Sequence, residues 1–161
     1  MWPFLAALVA LNAATFPLRD SRITGTAAIL GLNWALCSAA AYGTGEEYPV
    51  AYFLTFDYLS AFTLLVLFPL DGRKSTLWEG MVGLLYGGEM IAHAARSLSG
   101  SQAAIYYGWY FLKWSAWTQV AVVVIWGLYA LACRRGLSVG RLSNLDPLLG
   151  GYRSGANEKA R

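Results

Sequence analysis

The sequence predicts an all-α fold: a polytopic bundle of about five transmembrane helices, with the amino terminus outside and the carboxyl terminus in the cytoplasm. Three observations predict it. The chain of 161 residues is 57% hydrophobic and only 13% charged, with a mean hydropathy of +0.45, which is more apolar surface than a soluble domain of that length can bury. The apolar residues collect into runs long enough to cross a bilayer. The basic residues, finally, concentrate in alternate linkers.

A span needs about 20 mainly apolar residues, because the hydrocarbon core is about 30 Å thick and a helix rises about 1.5 Å per residue. The runs lie at Trp2–Leu18, Ile23–Tyr42, Val50–Leu70, Leu77–Ala95 and Ile105–Cys133, together forming a membrane domain over 1–133. The first has no basic residues before it and no convincing cleavage site after it, so a retained span is expected rather than a signal peptide. Polar punctuation separates the runs: Arg19–Arg22, then Gly43–Pro49, then Asp71–Thr76, then Arg96–Ala104. The last run is too long for one perpendicular crossing, at about 43 Å. Six aromatic residues, Tyr106, Tyr107, Trp109, Tyr110, Trp114 and Trp117, crowd its start. They point to an interfacial stretch over Ile105–Lys113 and a span from Trp114 to Cys133, with a single tilted helix as the alternative.

Lys and Arg next to a span stay on the cytoplasmic side. Of the 12 basic residues, all but Arg96 and Lys113 lie in the first linker, the third linker or the tail, whereas the second linker carries Glu46 and Glu47. Only an odd number of spans satisfies that alternation. The tail, 134–161, is rich in Gly, Ser and Arg, and is expected to be a flexible cytoplasmic segment attracted to anionic lipid. Because no basic face or stripe forms, the net charge of +3 implies no nucleic-acid partner. The expected partners are the bilayer and a second copy or another membrane protein. Cys37 and Cys133 fall near opposite membrane faces, so no disulfide is expected. Cys133 beside Arg134-Arg135 is either a small apolar helix residue or a palmitoylation site.

Helices in lipid associate through close backbone approach and a few polar contacts. The second run and the residue after it carry five small residues spaced four apart, Ala27, Gly31, Ala35, Ala39 and Gly43, and the fourth carries Gly83 and Gly87 with Gly80 and Gly88 nearby. Both are expected to be helix-packing faces. Asn12, Asn33 and Gln119 are expected interhelical hydrogen-bonding residues, Asn33 lying off the small-residue stripe.

Ionisable side chains inside spans are the sharper signal, since a charge at the bilayer centre costs at least about 2.5 kcal/mol. Counting inward, Asp57 lies about 10 Å below the outer surface, Glu89 about 12 Å, and Lys113 about 12 Å if its span begins at Ile105. Glu89 and the only histidine, His93, are one helical turn apart on one face. Asp57, Glu89, His93 and Lys113 therefore form a predicted intramembrane polar cluster. Three readings are open: a satisfied polar knot, a proton or cation route, and a weak metal site of two carboxylates and one imidazole. With no second Glu-x-x-His element and no nearby thiolate, neither metal nor cofactor is expected. Glu79, near the cytoplasmic start of its helix, suits the positive dipole end and stays outside the cluster.

No phosphate-cradling loop, nucleophile elbow, His-Glu-x-x-His or paired-Cys motif is present, and no enzymatic activity is expected. Nor do the halves form an inverted repeat. The stretch Phe56-Asp57-Tyr58-Leu59, the turn from Pro69 to Lys74, and Glu89 through His93-Ala94-Ala95-Arg96 resemble small polytopic membrane proteins of bacterial phages and prophages. That resemblance implies a bacterial inner-membrane protein of this class, and some such proteins are holins, which form membrane lesions. The expectation is a non-enzymatic protein acting through helix assembly or partner contact, with proton or cation conduction and holin action as alternatives.

Overall fold

A computed structural model describes residues 2–45, 49–67, 76–99 and 101–135. The described residues form five long helices and no strand. They are α1 (Trp2–Thr15), α2 (Ser21–Thr44), α3 (Val50–Phe62), α4 (Leu77–Ser99) and α5 (Gln102–Arg134). A 3-10 turn over Phe16–Leu18, with Pro17 in its first turn, closes α1, and a π-helical turn over Thr63–Leu67 extends α3. Three segments are long and apolar enough to cross a membrane: Ser21–Thr44, Val50–Leu67 and Ile105–Arg134. The expected linker residues Glu46 and Glu47, the expected linker at 71–75 and the tail from residue 136 lie outside the described residues.

Local chemistry sets the helix boundaries. Asp20 caps α2, its carboxylate accepting from the backbone N–H groups of Arg22 at 3.1 Å and Ile23 at 3.2 Å. Gly45, with φ of 67°, ends the same helix in the left-handed region that glycine occupies without strain. Thr76 and Glu79 form a reciprocal capping box on α4: the Thr76 N–H donates to Glu79 Oε2 at 2.7 Å and the Glu79 N–H to Thr76 Oγ1 at 3.2 Å.

Sequence expectations need correction at two places. The expected fourth linker is largely helical, since α4 continues to Ser99 and α5 starts at Gln102. There is also no break before Trp114: α5 is one helix of 33 residues, about 49 Å long. Packing explains its continuity. Gly108 is buried against Ala92 and Arg96, Phe111 sits over Gly88, and the Arg96 guanidinium lies 4.8 Å from the centre of the Trp109 ring. The upstream half of α5 is thereby bound to α4 along its length, which a separate surface stretch would not be.

The bundle alternates up and down. The ends of α1 and α5 and the starts of α2 and α4 share one end, where Arg134 donates to the Leu18 carbonyl and lies 3.9 Å from Asp20. Arg22 there pairs with Glu79 at 3.3 Å. α3 and α5 each pack against both α2 and α4, which stand diagonally across the bundle, and α1 covers α2 and α5. The core is built on Ile23, Leu64, Val82, Val123 and Trp126. The outer surface is apolar instead of charged, with Leu36, Leu59, Leu84, Ile91, Ile125 and Leu128 among its exposed side chains.

The small-residue faces are only partly used. Ala27 is buried, and Gly31 lies close under the Asn12 amide, a Cβ there falling 3.1 Å from Asn12 Nδ2. Asn12 also donates to the Ala27 carbonyl at 3.2 Å. Ala35, Ala39 and Gly43 are exposed, because the shorter α1 leaves the far part of α2 uncovered. On α4, Gly83 admits Leu65, whose side chain would stand 2.7 Å from an added Cβ. A Cβ added at Gly87 would meet nothing within 4 Å, and its expected place is taken by Gly88. The reason is that α4 has two neighbours: Gly83 meets α3 and Gly88 meets α5.

Candidate functional site

Four helices bring buried polar side chains to one region of the interior. α3 supplies Asp57 and Ser60, three residues apart and so on one face. α2 supplies Asn33, whose Nδ2 donates to Asp57 Oδ1 at 3.0 Å and to Ser60 Oγ at 2.9 Å. The Cys37 thiol, one turn along, donates to Asn33 Oδ1 at 3.5 Å. His93 of α4 places Nε2 at 3.3 Å from Asp57 Oδ2, an ion-pair distance whose angle falls short of a hydrogen bond. Phe53 holds the imidazole from the other side, its ring centre 5.4 Å from that of His93.

Glu89 sits one turn from His93 on the same face of α4. Asp57, Glu89 and His93 are 2%, 7% and 7% exposed. Asp57 of α3 and, from α5, Ser115 and Gln119 lie around the Glu89 carboxylate. Ser115 Oγ and Gln119 Nε2 approach Glu89 without closing a hydrogen bond of normal geometry among the described residues. The Tyr86 hydroxyl, also buried, interacts with Ser60 and with both carboxylates.

Of the four residues predicted to cluster, three therefore come together and Lys113 does not. Ser115 and Gln119, one turn apart, define the face of α5 that meets Glu89. Lys113 is two residues from Ser115, on the opposite side, and is exposed. A long amphipathic side chain there carries its charge away from the core. Asn33 and Gln119, expected only as generic hydrogen-bonding residues, belong to the cluster, as do Ser60 and Ser115, for which the sequence carried no signal beyond their polarity.

No protein family, curated protein or solved structure matches this chain. Chemistry must therefore carry the reading. Two carboxylates and one imidazole, held among hydroxyl and amide groups in an apolar bundle, can bind and release a proton. Among the described residues no three His, Cys, Asp or Glu side chains are grouped closely enough to hold a metal ion.

Proposed function

We propose that this chain is a five-span bacterial inner-membrane protein, amino terminus outside, that holds an exchangeable proton or small cation at the Asp57–His93–Glu89 cluster. One observation carries the reading: of two buried carboxylates in one cluster, Asp57 has the His93 imidazole at 3.3 Å, while the neighbouring cations are turned elsewhere, Lys113 exposed and the Arg96 guanidinium over the Trp109 ring. His93 can neutralise Asp57. Glu89 is then neutral only when it carries a proton or a cation, and an uncompensated interior charge costs several kcal/mol. The membrane assignment is supported by the three long apolar segments and by a surface of exposed Leu, Ile and aromatic side chains, while Asp57, Glu89 and His93 are buried. α4 has its polar residues turned inward, which reconciles its lower hydropathy with a fourth span. α1 and its closing turn, Trp2–Leu18, supply the remaining one, at about 25 Å.

Flux into proteoliposomes, followed with an internal pH dye and a cation dye under an imposed potential, tests the proposal. Wild-type protein is expected to dissipate the gradient, and Glu89→Gln to abolish flux with an unchanged helical circular-dichroism spectrum. Undiminished flux in Glu89→Gln, or none in the wild type, overturns it.

A second reading, assembly, is favoured by the forked Asn33 contact that ties α2 to α3 and by the uncovered Ala35, Ala39 and Gly43 face, which suits a second copy. Under that reading wild-type liposomes carry no flux, and Asp57→Asn disrupts an oligomer seen by cross-linking.

A further inference from the structure

The buried face of α4 is polar well beyond the cluster. Its inward positions read Glu79, Val82, Tyr86, Glu89, His93 and Arg96, alternating three and four residues apart. They cover about 26 Å of helix, nearly the thickness of a hydrocarbon core. Diagonally opposite, α2 turns Arg22, Thr26, Leu30, Asn33 and Cys37 toward the interior at the same spacing. The two seams are joined at two levels: directly by Arg22 on Glu79 at the basic end, and through Asp57 of α3, which lies between Asn33 and His93, in the cluster. Along the helices between these levels stand Leu64, Val82 and Val123, each wholly buried in the apolar core, a layer of side chains that leaves no exposed surface.

Two unsatisfied polar atoms flank that layer. Glu79 is wholly buried, and its Oε1 has no hydrogen-bond partner among the described residues, although Oε2 is engaged by Thr76 and Arg22. Thr26 Oγ1, also wholly buried and one turn from Arg22, is likewise without a partner there. Buried polar atoms left open cost free energy that an apolar residue would not. Tyr86 stands on the cluster side of the layer, about 10 Å along the helix from Glu79.

We propose that the interior between α2 and α4 is a proton path from the Glu89 cluster to the basic end, with Tyr86, Thr26 and Glu79 as its stations and Val82 as its closed gate. This rests on the reading of the cluster above and names the transferred species. Hydroxyl and carboxyl oxygens relay a proton by accepting one as they release another, whereas a hydrated cation needs an open bore, which the Leu64–Val82–Val123 layer denies. Each transfer leaves Glu89 as a carboxylate until it is refilled from the His93 side. Apolar constrictions of this kind gate by excluding water.

The test is proton flux in liposomes with sodium and potassium replaced by a large organic cation. Val82→Ser is expected to raise the flux about tenfold, Tyr86→Phe to lower it by a similar factor, and Val82→Ser/Glu89→Gln to return it to background. If Val82→Ser does not fold, Val123→Ser on the facing helix replaces it. Loss of flux in Glu89→Gln alongside unchanged flux in both Val82→Ser and Tyr86→Phe overturns the path and leaves the cluster reading standing. Full flux in Glu89→Gln overturns both. A Val82→Ser leak that survives Glu89→Gln, or flux that requires sodium, also overturns the path.

Discussion

At Asp57 the two carboxylate oxygens have different tasks: Oδ1 accepts from Asn33 and Oδ2 faces His93. Removing one member of a buried ion pair leaves the other charge uncompensated, at a typical cost of about 3 kcal/mol, whereas replacing both restores much of the loss. His93→Gln is therefore expected to destabilise the protein by about that amount in detergent denaturation, and Asp57→Asn/His93→Gln to be less unstable than the sum of the single variants. Strict additivity would show that the pair is not coupled. Counting depth along antiparallel helices was enough to bring Asp57, Glu89 and His93 together from sequence. Lys113 was misplaced because depth alone does not fix azimuth. Only the packed face of α5, marked by Ser115 and Gln119, determines which side of that helix looks inward.

At the scale of elements, helix existence was legible and helix contacts were less so. Polar punctuation located the starts and ends, but residue periodicity cannot say how far a helix persists once neighbouring side chains support it. That is why α4 and α5 run through a stretch expected to be a linker. The same limit hid the Arg22–Glu79 pair: Glu79 was expected only to suit the helix dipole, and Arg22 was expected in a linker and proves to be in the first turn of α2. Small-residue motifs were equally ambiguous, since spacing does not reveal which neighbour covers them. The structure separates Gly83 from Gly87. An added methyl at Gly83 meets Leu65 at 2.7 Å, and one at Gly87 meets nothing within 4 Å. Gly83→Ala is expected to cost about 1 kcal/mol, and Gly87→Ala to be neutral or to stabilise by up to about 1 kcal/mol through helix propensity. Equal effects in thermal denaturation would contradict the packing described.

For the molecule as a whole, an apolar exterior surrounds a core that holds a buried polar cluster, and under the proposed topology the shared end of Arg19, Arg22, Arg134 and Arg135 faces the cytoplasm. Single cysteines introduced into a cysteine-free background test the orientation. Gly45→Cys is expected to react with a membrane-impermeant thiol reagent from outside intact cells, and Arg135→Cys only after the membrane is opened. The reverse pattern would invert the topology and with it the sense of the proposed proton path.

The central claim concerns Glu89, and carbodiimide labelling reads it most directly, because the reagent attacks protonated carboxyl groups in apolar surroundings. With wild-type protein in liposomes, mass spectrometry of the adducts is expected to place the modification on Glu89, faster as the pH falls, with little on Glu79, whose carboxylate is engaged by Arg22 and Thr76. No adduct on Glu89 at any pH would contradict the claim that the cluster holds an exchangeable proton.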